Sequence, residues 1–184
     1  MGGLAPDDAA FAARVARLDA NALVRVREGR LWAALPIGVL AVRELAGDAE
    51  EAVYRAGDLS EGRLAPRPVS EWRGRLPQRP WEAVETVPAA EVAELNRRAA
   101  EALRQRRGQG VGDRRLRDVL LEHVALRVEH GDDEYAVELR LIVALMRMGF
   151  LGDGPVRVLR AGRRIGLAGA YGGVWDRERG LPLL

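Results

Sequence analysis

The chain has 184 residues, among them 29 arginines but no lysine and no cysteine, and its 27 acidic residues leave a net charge of only +2. Without lysine there is no Schiff-base amine and no phosphate-loop lysine; without cysteine there is no thiolate nucleophile, disulfide, iron–sulfur ligand or thiolate zinc site. A hydrophobic content of 48% is enough for a real core, in one domain or two small ones.

The N-terminal residues Gly2, Gly3, Leu4, Pro6, Asp7 and Asp8 lack the cationic and apolar regions of a secretory leader, and Pro6 stands where a myristoylation pattern wants Ser or Thr. Asp7 and Asp8 are expected to cap a first helix whose Phe11, Val15 and Leu18 recur at helical spacing. Val24 and Val26 then alternate with Arg25 and Arg27, Glu28-Gly29 turns the chain, residues 31–35 run back, and residues 37–45 supply a third strand. The alternation predicts a half-solvated antiparallel meander, completed by a short strand at 52–55 and a turn of helix after Asp58. The longest uncharged run, residues 31–42, is bracketed by Arg30 and Arg43. It falls short of the roughly 20 residues a membrane helix needs. The expectation is a cytoplasmic protein with no membrane segment.

Residues 65–80 change texture: Pro66, Pro68, Pro77 and Pro80 lie among Arg67, Arg73, Arg75 and Arg79, with Trp72 as the one aromatic. Such proline density denies the segment a helix or central strand, so it reads as a linker or surface wrap pinned by Trp72. The predicted organisation is therefore residues 1–64, a helix with a β-meander; 65–80, the wrap; and 81–184, an α+β half.

The second half opens with an extended stretch, 81–87, and then a helix with Pro88 in its first turn. Val92, Leu95, Ala99 and Leu103 form the buried stripe of that helix, and Glu94 pairs with Arg98 at i,i+4. Its arginine-rich C-terminal turn suits the helix dipole, which accounts for that cluster without a ligand. After the glycine-rich break at 108–112, Asp113 is expected to cap a helix with Leu116, Val119 and Leu120 inward. A hairpin through Gly131-Asp132-Asp133 follows, then a compact apolar helix, 139–148, ending at Gly149, and a last hairpin turning at Ala161-Gly162. The fold class is α+β: antiparallel hairpins packed against short helices in two small, mutually packed halves.

The stretches LWAALPIGVLAV (31–42), PWEAVETVPA (80–89), RMGFLG (147–152) and VRVLRAGRRIGLAGAYG (156–172) resemble a family of uncharacterised proteins from high-GC actinobacteria. The resemblance implies no activity and transfers no functional residue. It agrees with reading the arginine excess as codon supply feeding a solvated surface.

Three groups of residues carry candidate chemistry. His123, His130, Asp132, Asp133 and Glu134, with Glu122 nearby, hold metal-ligand side chains, but seven residues of regular strand put the histidines about 23 Å apart. The helix and hairpin from 139 to 169 resemble the reading helix and wing of a winged-helix domain, with Arg140 and Arg147 on the helix and Arg157, Arg160, Arg163 and Arg164 on the hairpin. The helix lacks base-reading Asn, Gln, Ser, Thr or Lys, which favours a core role. The glycine-rich end, Gly166, Gly169, Gly172 and Gly173 with Tyr171 and Trp175, reads as a loop folded over the core rather than a phosphate cradle, since no strand-to-helix switch follows it. Ser60 and Ser70 are the only serines, and neither sits in a nucleophile elbow.

The sequence thus points to a non-enzymatic binding or interaction module with no cofactor or metal, partnered by a protein or by itself as a homo-oligomer. The alternative is a winged-helix-like nucleic-acid binder using the six arginines just named. A carboxylate-based hydrolase is the third reading.

Overall fold

The computed structural model describes residues 4–106 and 112–177. The chain opens with α1 (Pro6–Leu18), followed by β1 (Leu23–Arg27), β2 (Arg30–Leu35), β3 (Val39–Glu44), β4 (Val53–Arg55) and α2 (Ala56–Ser60). The wrap leads to β5 (Glu82–Val87), α3 (Ala89–Arg106) and α4 (Asp113–Leu121), and β6 (Val124–His130) forms a separate hairpin with β7 (Asp133–Glu138). The chain then runs through α5 (Leu139–Arg147), β8 (Val156–Ala161), β9 (Arg164–Ala168) and β10 (Gly173–Asp176). Most of the glycine-rich break between α3 and α4 lies outside the described residues.

The meander and the last hairpin do not form separate sheets. They join through β10, which pairs antiparallel with β3 on one side and β9 on the other, giving one eight-stranded sheet in the order β4-β1-β2-β3-β10-β9-β8-β5. The sequence reading had residues 173–176 as part of a loop. The short alternation Gly-Val-Trp-Asp is too brief to show a strand until its neighbours supply the ladder.

One face of the sheet carries the larger core. Val24, Val26, Leu31, Ala41, Val156, Val158, Leu167 and Val174 pack there against Phe11 and Val15 of α1 and Ile142 and Leu145 of α5. The opposite face is not solvated. It holds Trp32, Leu40, Val42, Val53, Leu159 and Trp175, over which the wrap lays Trp72, Leu76 and Trp81. The expected half-solvated meander is therefore corrected: β2 and β3 are buried on both faces because the proline-rich segment acts as a strap. Its entry is fixed by a bridge from the Arg67 N–H to the Val53 carbonyl, 2.7 Å.

Four local expectations change. The first helix starts on Pro6 and has no side-chain cap; Asp8 is fully buried and accepts hydrogen bonds from the Ala46 and Gly47 N–H groups at 3.0 and 2.7 Å. Asp113 likewise makes no cap bond, since α4 begins on it after Gly112. Val119 is 62% exposed, so the inward side of α4 belongs to Leu120 and Leu121. Finally, the last hairpin turns at Gly162-Arg163.

Candidate binding surface

The strap-bearing face gathers the most unusual chemistry. Trp81 sits edge-on to Trp32 with ring centroids 5.8 Å apart, and tilted against Trp175 at 5.1 Å. Its indole N–H donates to the Pro77 carbonyl at 3.3 Å. The Arg79 and Arg30 guanidinium carbons stand 4.5 and 5.2 Å from the Trp81 ring centroid, so two cations are fixed against one aromatic. Arg30 also pairs with Glu44 at 2.8 Å.

Two arginines of the sheet end tether the strap by its backbone. Arg164 donates to the Arg75 carbonyl at 2.7 Å and to the Asp176 carbonyl, and Arg177 reaches the Arg73 carbonyl at 3.3 Å. The backbone is thereby held while the Arg73 and Arg75 guanidinium groups stay outside these bonds. On either side of the strap lies an open cleft. One, about 620 Å³, is lined by Arg25, Arg27, Arg30, Arg75 and Arg79 with Glu28; the other, about 650 Å³, by Arg75, Arg79, Arg160, Arg163 and Arg164 with Glu82. Eight arginines and two glutamates thus line the clefts, and Glu44, Asp133 and Asp176 pair Arg30, Arg160 and Arg164 from beside them. Burial first, and then the neighbouring Arg27, push the Arg25 guanidinium below its ordinary pKa, while Glu51 and Glu28 oppose the shift. At the far margin Arg160 hydrogen-bonds Glu82 and the Tyr135 hydroxyl, and that bond holds the Glu82 carboxyl below its usual range. Burial raises the Asp176 carboxyl instead.

The six arginines singled out from sequence divide by location. Arg160, Arg163 and Arg164 come together at the second cleft, two of them engaged as described. Arg157 is exposed and lines a third cleft with Arg43, Trp81 and Tyr171. Arg140 donates to the Ile37 carbonyl at 3.1 Å and pairs with Glu138 at 2.7 Å. Arg147 lies at an apolar groove between α3, α4 and α5. The winged-helix geometry is not what the chain builds, because α5 buries Leu139, Leu141, Ile142, Ala144 and Leu145 under the sheet and β8–β9 are interior strands.

His130 stands 3.4 Å from Glu82, Glu134 pairs with Arg127, and His123 is exposed beyond the end of α4. Among the described residues no three His, Asp or Glu side chains converge as a metal site. The glycine-rich end is a packing device. A Cβ on Gly169 would lie 2.1 Å from the Phe150 carbonyl oxygen, and one on Gly172 2.6 Å from the Phe150 ring. Sequence reading missed Arg25, Arg75 and Arg79 as a group with Trp81. The signal was present as alternating arginines on β1 and arginines spaced through the strap, but nothing local relates 25 to 79.

No helix of the described residues is long and apolar enough to cross a membrane. The fold resembles that of DNA sliding clamps. The DNA polymerase III beta subunit of Thermotoga maritima matches with a TM-score of 0.54 and 12% identity over 96% of this chain and 63% of that one. The Caulobacter crescentus pol III beta matches with a TM-score of 0.58 and 11% identity over 99% and 66%. A DnaN sliding clamp from Pseudomonas aeruginosa bound to griselimycin gives 0.54 and 13%, over 96% and 63%. The chain therefore spans about two thirds of the length of these clamps, and at such identity the likeness is one of fold. No curated protein matches the sequence. Residues 3–70 match the model described as Domain of unknown function (DUF8010), and residues 76–181, more than half of the chain, match Domain of unknown function (DUF8185), so the chain belongs to the DUF8185 family.

Proposed function

We propose that the protein is a non-catalytic interaction module that associates with further copies of itself along its sheet margins. The observation that carries this reading is the inequality of the two margins. At the β4 end the outer side is occupied by the Arg67 bridge, while at the other end no strand among the described residues pairs with the outer side of β5. Along β5, Ala83, Glu85 and Thr86 are exposed, and the Thr86 N–H is taken by the Glu85 carboxylate at 2.7 Å. A bulge between Ala83 and Glu85 and the two glutamates of the strand discourage indiscriminate stacking, as sheet edges require, and select a partner that brings cations. The β4 end offers exposed Arg55. Pairing unlike margins is a heterologous contact, which closes into rings or runs on as filaments. The clamp-like fold supports an interaction role, since the similar proteins are named as polymerase subunits and as clamps.

Light scattering at micromolar concentration is expected to give a multiple of the 20.1 kDa chain mass. Glu85→Lys should shift it to the monomer, and adding Arg55→Glu in the same chain should restore the assembly. A wild-type monomer at 50 µM defeats the proposal.

A further inference from the structure

We infer that the strap face is a binding site for the phosphate backbone of nucleic acid, engaged without base readout. The inference stands apart from self-association, because both clefts lie within a single chain.

The electrostatics set the sign of the ligand. The clefts on the two sides of the strap share Arg75 and Arg79, so their eight arginines form one continuous surface; Arg27, Arg30, Arg160 and Arg164 are ion-paired, and Arg25, Arg75, Arg79 and Arg163, which are not paired among the described residues, give it its positive sign. Arginine presents a rigid fork that matches phosphate oxygens two at a time. The surface is also held in place before any ligand arrives. Arg79 and Arg30 are fixed on Trp81, and Arg164 and Arg177 grip the strap carbonyls, so little ordering entropy is left to lose on binding.

The scarcity of exposed large apolar side chains favours nucleic acid over an acidic protein: Trp32, Leu76 and Trp81 reach the cleft walls, but each is at least partly buried against the sheet. A protein interface is built on a hydrophobic centre inside a polar rim, whereas a nucleic-acid interface is more polar and far more positive. The large apolar side chains of the strap are turned inward: Trp72 is 9% exposed and Leu76 and Trp81 pack on the sheet. The exposed large hydrophobics among the described residues, Leu64, Val69, Val119 and Tyr171, line neither cleft. Trp81 also offers no open platform for a base, because two guanidiniums and two tryptophans already surround it. Gln78 is the one neutral amide in the clefts. Such a set positions phosphates and carries no sequence code.

The test uses the full chain and fluorescently labelled 30-base-pair duplexes of two unrelated sequences, followed by anisotropy from 50 to 200 mM salt. Both duplexes are expected to bind within about twofold of each other, with a log–log salt slope of roughly −0.9 per phosphate contacted. Arg75→Glu with Arg163→Glu should weaken binding at least tenfold at 50 mM salt and make the slope shallower by about 1.8. Neither guanidinium makes a hydrogen bond or ion pair to the described residues, so the variant should melt like wild type. Arg114→Glu with Arg115→Glu on α4 changes net charge equally and should leave affinity within about threefold. Three outcomes overturn the inference: no duplex binding at 50 mM salt, equal weakening by both double variants, or competition by poly-glutamate as effective as by unlabelled duplex. The last would assign the face to an acidic protein.

Discussion

Asp8→Ala gives the sharpest test of how the first helix is attached. The Asp8 carboxylate is fully buried at the start of α1 and collects the Ala46 N–H at 3.0 and 3.1 Å, one distance to each oxygen, and the Gly47 N–H at 2.7 Å, with Arg43 3.8 Å away. These contacts tie α1 to the loop that follows β3, almost forty residues on. A hydrogen bond to a charged acceptor contributes about 1.5–3 kcal/mol, and losing one partner also strands the other. Ala46 is itself exposed and Gly47 half-buried, so water recovers part of the loss and the lower end of the range applies. Two such bonds give roughly 3 kcal/mol, or a fall in Tm of about 6–12 °C for a chain of this size. Urea denaturation followed by far-ultraviolet circular dichroism should show a lower midpoint with an unchanged slope. Asp8→Asn, which retains an acceptor without the charge, should fall between. Asp7→Ala is the control, since Asp7 is 77% exposed and reaches Arg43 only at 3.6 Å; it should cost within about 0.5 kcal/mol. An Asp8→Ala loss below about 1 kcal/mol would refute the tethering role.

Gly169→Ala should destabilise the chain by more than about 3 kcal/mol, because the new methyl meets the Phe150 carbonyl, a backbone atom that cannot rotate away; Gly162→Ala, at an open turn of positive φ, should cost about 1 kcal/mol. Thermal melts of the two variants distinguish steric exclusion from simple backbone freedom. In the acid range, hydrogen bonds from Arg97 and Arg98 lower the Glu94 carboxyl from 4.5 to about 2. The sign follows: a folded-state pKa below the unfolded one contributes stability that is present above pH 4.5 and disappears as pH falls toward 2. Melts between pH 6 and 2.5 should therefore show a shallower acid decline for Glu94→Gln than for wild type. The difference is small, as both partners are solvent-exposed.

Much of the architecture is legible because it is written in local periodicity. The alternation of Val24 and Val26 with Arg25 and Arg27, the Glu28-Gly29 turn and the 3.6-residue stripe of α3 each specify their element without help from distant residues. The α+β class and the antiparallel hairpins follow from these signals. What periodicity cannot carry is the join. β10 contributes four residues, and only its ladder to β3, more than 130 positions earlier, makes one sheet of two hairpin systems. Asp8 misleads for the same reason: an acid in the first turn of a helix has a sufficient local explanation, and its real partners are remote.

The candidate surface is hidden by that same separation. Read locally, Arg25 is the polar side of an amphipathic strand, and Arg75 and Arg79 are solvated residues of a proline-rich segment; each placement is individually ordinary. Their meaning arises from the strap, which brings two stretches fifty residues apart across one sheet face and pins them on Trp81. Proline is what makes the arrangement possible. By denying the segment a strand ladder it limits its pairing with the β4 edge to the single Arg67–Val53 bridge, and so leaves the rest free to lie over the tryptophans with its cations outward. The distribution of charge follows from this packing. Arginines on helices α3 and α4 have acidic neighbours at helical spacing, as Arg97 and Arg98 have in Glu94, whereas in the strap the one such pair among the described residues is Arg67 with Glu71, which leaves Arg73, Arg75 and Arg79 outside any ion pair there. A chain with nearly balanced charge can therefore present one strongly basic face without any excess in its composition.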